Sequence, residues 1–300
     1  MHALTILGNN SAIPAFERFP TAQVLQLQDE CFLIDCGEGT QMQMAKYKIK
    51  RSKITSIFIS HLHGDHYFGL IGLLNSMSLL GRTQDIHLYA PAPLEKIIQL
   101  QLEVAATTLS YKLYFHALGQ PGVLIDTSKI TVTSFAVKHR IDCWGFLFKQ
   151  KKKLRKIDAE AVKQYEVPTS YYEKLQQGED YITKKGTIIP NDAVTTAASP
   201  GKSYGYCADT IYDETLVDII QGVDVLYHEA TYLKGNEEKA ALRYHSTTLQ
   251  AANIAKMANV KKLLIGHFSA KYEVLDDFLL EACSVFENTE LAIEGISYRI

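Results

Sequence analysis

The sequence predicts an α/β protein with two central mixed sheets, helices on their outer sides and an inserted arm. Three observations lead there. Short apolar runs alternate with amphipathic stretches along most of the 300 residues. Strand-like runs crowd the opening, and helices mix with strands only afterwards, which suits two sheets rather than one doubly wound parallel sheet. The stretch 151–200 breaks the pattern with Pro168, Gly178, Gly186, Pro190 and several tyrosines. It reads as a hairpin followed by an arm inserted into a single domain spanning residues 1–300.

Taken in order, strand-like runs cover 3–7, 24–27, 31–35, 56–60, 86–89, 130–138, 144–149, 203–208, 224–227, 262–265 and 291–293. Helix-like stretches lie at 40–48, 67–80, 93–103, 213–220, 247–257 and 274–286, with the apolar spacing of a helix laid on a sheet. No internal repeat of solenoid length stands out.

Composition narrows the class. Hydrophobic residues make up 47% and charged residues 21%, as in ordinary globular proteins. Apolar runs such as 70–74 are far too short to cross a bilayer, so no membrane association is expected. The opening Met1-His2-Ala3-Leu4 lacks a basic stretch before an apolar core, so no signal peptide is expected. Cys31, Cys36, Cys143, Cys207 and Cys283 are odd in number and form no CxxC pair. That argues against a disulfide framework and for a reducing, cytoplasmic compartment. A net charge of −2 gives no general basic surface for a nucleic acid, so a phosphate partner would need a local patch.

The chemistry is concentrated in Ser60-His61-Leu62-His63-Gly64-Asp65-His66, directly after the apolar Ile57-Phe58-Ile59. Imidazole nitrogen and carboxylate oxygen both suit Zn²⁺. His61 and His63 are two apart in an extended turn and face one ion, while Asp65 and His66 face a second. Gly64 removes a side chain where the loop bends. A lone histidine is more often a hydrogen-bonded structural residue than a ligand, but a run of ligand types after a strand is not so explained. His139, Asp209, His228 and His267 each follow a strand-like run, where α/β proteins gather their sites. His2, His87 and His116 do not and read as structural. Cys36 and Cys207 read as small packed residues.

At these residues the sequence resembles a known family. His61-Leu62-His63-Gly64-Asp65-His66 matches the HxHxDH signature of the metallo-β-lactamase superfamily, whose αβ/βα sandwich agrees with the fold expected above. Four further matches resemble ribonuclease Z: Asp35-Cys36-Gly37-Glu38-Gly39-Thr40-Gln41; Ala208-Asp209-Thr210; His228-Glu229-Ala230-Thr231; and His245-Ser246-Thr247 with His267-Phe268-Ser269. The resemblance implies a zinc-dependent endoribonuclease that removes the 3′ trailer of precursor tRNA. It would leave a 3′-hydroxyl on the tRNA and a 5′-phosphate on the trailer. It implies two zinc ions per subunit, one held by His61, His63 and His139, the other by Asp65, His66 and His267, with Asp209 bridging. On this reading His245 is the general acid, Glu229 holds its tautomer, and Asp65 also orients the attacking hydroxide. Ser246, Thr247 and Ser269 are candidates to bind substrate phosphate, although Ser246 and Thr247 read at least as well as a cap for the following helix, and both roles can hold at once. The resemblance also implies a homodimer, with one subunit's arm gripping the tRNA cut by the other.

Two segments depart from that family. Its PxKxRN-like loop reads Pro14-Ala15-Phe16-Glu17-Arg18-Phe19 here, with Phe16 in place of Lys and Phe19 in place of Asn. In the arm, Glu166-Val167-Pro168 lacks the expected glycine of a GxP element. The basic run 149–156 reads either as an RNA-backbone contact or as a solvated hairpin tip, and Tyr171 and Tyr172 either as base-stacking groups or as arm packing. The departures keep open an enzyme of the same fold acting on another small phosphodiester, sulfate ester or thioester. A non-catalytic RNA-binding scaffold is a third reading, which a complete ligand set opposes.

Overall fold

The computed structural model describes residues 2–151, 154–198 and 200–300. It divides into two compact units: one takes the chain up to Ile125 with Val132–Phe148 and Ser203–Ile300, the other Asp126–Thr131 with Lys149–Lys202. Chain order gives β1 (His2–Gly8), β2 (Ala22–Leu27), β3 (Glu30–Cys36), β4 (Ser56–Phe58), β5 (Ile86–Pro91), β6 (Leu113–Leu118), β7 (Gly122–Asp126), β8 (Ile130–Val137) and β9 (Cys143–Gln150). Then come β10 (Lys156–Ile157), β11 (Tyr181–Ile182), β12 (Ile188–Ile189), β13 (Thr195–Thr196), β14 (Ser203–Cys207), β15 (Val225–Glu229), β16 (Leu263–Gly266), β17 (Thr289–Leu291) and β18 (Ser297–Arg299).

Two 7-stranded sheets form, in the orders β18-β1-β2-β3-β4-β5-β6 and β17-β16-β15-β14-β9-β8-β7. The first is mixed: β18, β1, β2 and β3 pair antiparallel, and β3, β4, β5 and β6 pair parallel. In the second, β14, β15, β16 and β17 are parallel. β4 reads Ser-Ile-Phe and is buried throughout, as a strand with parallel neighbours on both sides must be. Aromatic rings fill the space between the sheets. Phe58 of β4 lies 5.2 Å from Phe146 and Phe32 of β3 lies 5.3 Å from Phe148, both partners on β9. The outer face of the first sheet is covered by apolar sides of helices Thr40–Lys46, Leu70–Leu79 and Pro93–Val104, which bury Met44, Leu73, Leu74, Met77, Leu94 and Ile98.

The expected strands are present with ends shifted by a residue or two. β6, β7 and β18 were not legible, because half-exposed or three-residue edge strands carry little alternation. The helix expected at 67–80 begins earlier and breaks at Gly69, giving Gly64–Tyr67 and Leu70–Leu79. A side chain at Gly69 would meet the Gly37 carbonyl oxygen at 2.2 Å, so the break is a close backbone approach.

The smaller unit has more order than its sequence suggests. Helices Ala159–Gln164 and Tyr172–Gln177, with β10 paired to β13 and β11 to β12, enclose a core of Val162, Val167, Leu175, Ile189 and Val194. Asp158 caps the first helix, accepting from the N–H groups of Glu160 and Ala161. Tyr171 and Tyr172 pack on this core, and the Tyr171 ring lies 5.1 Å from that of Tyr181. Of the basic run, Lys152 and Lys153 lie outside the described residues. Lys151 pairs with Asp126 at 2.6 Å, and Arg155 pairs with Asp192. No helix among the described residues is long and apolar enough to cross a membrane.

Candidate metal centre and catalytic cleft

Chain ends of neighbouring strands converge on one point of the larger unit. β4 runs out at Phe58 into the loop carrying His61 and His63, and helix Gly64–Tyr67 supplies Asp65 and His66. His139 stands just past β8, Asp209 just past β14 and His267 directly after β16. Two backbone positions here are left-handed without being glycine, His267 at φ 62° and Tyr244 at φ 59°. A third is Asp35 at φ 54°. Each costs about 1–2 kcal/mol, so the surrounding packing must hold it.

The ligand atoms of His61, His63, His139 and Asp209 lie within 4.8 Å of one another, as do those of Asp65, His66 and His267. His63 Nδ1 is 3.0 Å from His61 Nε2 and 3.1 Å from His139 Nε2. Asp209 divides its oxygens: Oδ2 is 3.6 Å from His61 Nε2 and 3.9 Å from His139 Nε2, while Oδ1 is 3.4 Å from His66 Nε2 and 3.2 Å from His267 Nε2. Asp65 Oδ2 completes the second group, 3.4 Å from His267 Nε2 and 3.7 Å from His66 Nε2. A tetrahedral ion with bonds of about 2.1 Å spaces its ligand atoms about 3.4 Å apart. Asp209 Oδ1 is buried without a hydrogen-bond partner, an orphan that a cation would satisfy. The donor set and its spacing fit a metal ion on each side of Asp209.

An outer layer fixes the tautomers. His66 Nδ1 donates to Asp35 Oδ2 at 2.8 Å, and His139 Nδ1 donates to the Tyr244 carbonyl at 2.9 Å. His61 Nδ1 meets Ser60 Oγ at 3.0 Å, and the Ser60 hydroxyl itself donates to Asp35. His267 Nδ1 meets Thr231 Oγ1 at 2.9 Å, and that hydroxyl donates to Glu229. Carboxylates and carbonyls only accept, so each Nδ1 carries the proton and each Nε2 turns its lone pair inward. Asp35 is fully buried and also accepts from the Ser60 N–H and the Tyr206 hydroxyl.

Electrostatics divide the histidines: burial opposes charge on His66, but Asp209, Asp35 and Asp65 outweigh it and hold this ring well above the usual imidazole range, a proton that a bound cation would displace. Burial holds His61 well below the usual imidazole range and His139 below it, and lowers His63 to about 4 with His139 adding to the effect. These rings are neutral and free to ligate. Burial works against ionising Asp65, but His66 and His267 hold it far below the usual carboxylate range. Burial also opposes ionisation of Asp209, and His267 and His66 outweigh it.

His245 stands beside this centre, between helix Glu237–Arg243 and helix Thr248–Met257. Its Nδ1 donates to Glu229 Oε1 at 2.9 Å, and its ring lies 5.3 Å from both His139 and His267. Burial lowers its proton affinity, but the Glu229 charge and hydrogen bond prevail and raise it to about 9. The arrangement offers a proton from Nε2 into the cleft. That cleft, of about 460 Å³, is lined by Ser11–Ile13, Asp65, Phe68, Arg140, His245 and Ser269 among others. The Ala12 N–H donates to Asp65 Oδ2 at 2.7 Å, tying the loop that precedes Phe16 to the centre.

Three residues singled out in the sequence sit elsewhere. Ser246 is buried, and its hydroxyl donates to the Thr210 carbonyl at 2.8 Å. Thr247 is buried and forms a capping box with Gln250. Thr247 is thus the helix cap, Ser246 is held by Thr210, and neither is among the residues that line the cleft. His228 lies inside β15, not beyond it. Its Nδ1 contacts the Glu229 carbonyl at 2.7 Å, and it joins none of the clustered ligand groups. Asp35 and Thr231 stand in motifs quoted above to which the sequence reading attaches no role, and the cleft-lining Arg140 and Arg243 do not figure in that reading.

Comparison with known proteins follows this geometry. Residues 2–258 match a family model described as Anti-Pycsar protein Apyc1. The chain is 43% identical to the Ribonuclease Z of Bacteroides thetaiotaomicron over 299 residues, covering 99% of this chain and 95% of that protein. It is 44% identical to a Ribonuclease Z of Bacteroides fragilis over 295 residues, covering 98% and 97%. The human short-form tRNase Z superposes with a TM-score of 0.72 at 27% identity, covering 99% of each chain. The metallo-β-lactamase fold protein YhfI of Bacillus subtilis superposes at 0.69 with 19% identity over 100% and 99%, a likeness of fold.

Proposed function

Because the chain belongs by its full-length relatives to the ribonuclease Z family, and by its matched model to the family described as Anti-Pycsar protein Apyc1, we propose that it is a metal-dependent endoribonuclease that removes the 3′ trailer of precursor tRNA. Its fold is that of the metallo-β-lactamases. The observation that carries the reading is Asp209, whose two oxygens face two separate imidazole sets beside a Glu229-held His245.

Two zinc ions per subunit are the metals of this reading. His61, His63 and His139 would hold one, Asp65, His66 and His267 the other, and Asp209 would bridge. Bound there, divalent ions supply positive charge opposite the scissile phosphate and make water acidic enough to act near neutral pH. Asp65 then orients the nucleophile. His245, kept in its protonated form by Glu229, gives its Nε2 proton to the departing 3′ oxygen. The tRNA leaves with a 3′-hydroxyl and the trailer with a 5′-phosphate. Ser269, which lines the cleft, would donate its hydroxyl to a substrate phosphate.

The smaller unit is the candidate arm for RNA contact, and the enzyme acts as a homodimer. All five cysteines are free, in keeping with a reducing, cytoplasmic compartment. A labelled precursor tRNA, with and without chelator, tests the reading. A cut at the start of the 3′ trailer that stops on chelation and returns with zinc is expected. Metal analysis should give two zinc ions per chain.

A second reading is a hydrolase of the same fold acting on a small phosphodiester. One observation favours it: Phe16 is 47% exposed on the N-terminal loop, and the Phe19 ring lies against Gly39, where the family pattern has Lys and Asn. Rapid cleavage of a chromogenic diester with no trailer removal would favour this alternative.

A further inference from the structure

We infer that Arg140 and Arg243 form a pair of phosphate contacts on the cleft wall, which hold the sugar–phosphate backbone of the substrate. The inference deepens the nuclease reading above and rests on it for the kind of substrate. Among the described residues the other cleft-side or buried guanidinium groups are already used. Arg18 donates to Asn10 Oδ1 and to the carbonyls of Tyr272 and Glu273. Arg82 donates to the carbonyls of Gln84 and Ile54, and Arg155 to Thr195 and Asp192. Arg140 and Arg243 both line the catalytic cleft, are exposed, and have no hydrogen-bond or ion-pair partner among the described residues.

Their placement follows from the centre itself. Arg140 is the residue after His139, and Arg243 stands two before His245. The two segments are joined by the hydrogen bond from His139 Nδ1 to the Tyr244 carbonyl. One clamp therefore carries a metal-facing imidazole, the proton donor and two unpaired guanidiniums. Arg140 is close enough to lower the proton affinity of His63. The bland account of Arg243 is a cation complementing the carbonyl end of helix Glu237–Arg243. That account explains neither its position on the cleft wall nor the matching Arg140, which ends no helix. In a chain of net charge −2, two uncompensated guanidiniums over a phosphodiester site are a local basic patch. Guanidinium is suited to it by its forked donors and permanent charge.

The test is salt-dependent binding of a labelled single-stranded oligoribonucleotide by the zinc-loaded protein, read by fluorescence anisotropy. For single strands each phosphate contact contributes about 0.7 to the slope of log K against log salt. Loss of two contacts in Arg140→Gln/Arg243→Gln should flatten that slope by about 1.4. Arg140→Lys/Arg243→Lys, which keeps the charge, should restore most of it. Arg299→Gln, which removes one such charge at an exposed position of the edge strand β18, should leave the slope alone. A slope equal to wild type in the double Gln variant, an equal effect from Arg299→Gln, or no binding by wild type would overturn the inference. Trailer removal is assayed in parallel. A wild-type protein that cuts no precursor yet shows the arginine-dependent slope would sink the tRNA reading and leave the phosphate contacts standing.

Discussion

Glu229 Oε1 accepts the Nδ1 proton of His245 at 2.9 Å, and the same carboxylate also takes the N–H groups of Thr210, Thr231 and Ser246. It is fully buried, so its orientation is set by these bonds and not by solvent. His245 is thereby fixed with Nε2 toward the cleft. His245→Ala is expected to lower kcat by about a hundredfold to ten-thousandfold, the usual contribution of a positioned general acid, with zinc content near wild type. Single-turnover rates beside metal analysis check both halves. Zinc lost in parallel with rate would make His245 a ligand instead. Glu229→Gln should slow turnover as well and also destabilise the fold by about 1–3 kcal/mol, because an amide cannot accept at every one of these positions.

Asp35 predicts an effect on metal affinity without touching metal. It joins the His66 ring, the Ser60 hydroxyl and the Tyr206 hydroxyl, and through Ser60 it reaches His61, so one carboxylate orients one histidine of each ligand group. Asp35→Asn should weaken zinc binding by about tenfold to a hundredfold, the usual cost of losing such a partner. Competition with a chromogenic chelator measures it. Wild-type affinity in the variant would show that the Asp35 bonds do not orient the rings.

How much of this was legible in the sequence depends on how local each signal is. The loop from His61 to His66 carries its ligands consecutively, and His139, Asp209 and His267 stand directly after strands, so residue type and position suffice. The same rule misplaced His228, because it does not distinguish the last turns of a strand from the loop beyond, and β15 runs on to Glu229. The orienting layer was not legible. Asp35 and Thr231 stand in the motifs quoted above, but which histidine each one orients is decided only after separate strands are laid side by side, and Tyr206, which reaches Asp35, carries no local mark. Arm order was hidden for another reason. Its helices are at most six residues long, too short to display a periodicity, and its core is five side chains.

Thr247 separates capping from substrate contact. Its side chain accepts from the Gln250 N–H and its own N–H donates to Gln250 Oε1 at 2.9 Å, at the start of the helix that packs behind β15 and β16. Thr247→Ala should cost about 1 kcal/mol of stability, visible as a lowered thermal midpoint, with the KM for precursor tRNA unchanged in the folded enzyme. A raised KM without loss of stability would return Thr247 to the substrate.

Glu294 predicts a pH dependence of stability. Its Oε1 accepts the Phe19 N–H at 2.5 Å and its Oε2 the Gln43 amide at 2.7 Å, so it anchors the loop whose Ala12 end is tied to Asp65. Burial pushes this carboxyl up to about 7, and its hydrogen bonds and Lys46 only partly counter that. Between its ordinary value and 7 the folded chain holds a proton that the unfolded chain has released. The resulting stabilisation is complete below the ordinary carboxylate range, falls as pH rises, and is lost as pH passes 7. Glu294→Gln removes this titration. Thermal midpoints of wild type and variant, compared from pH 5 to pH 8, should therefore diverge, with wild type losing ground at the higher values. Parallel curves would mean that the carboxyl ionises in its ordinary range despite its burial.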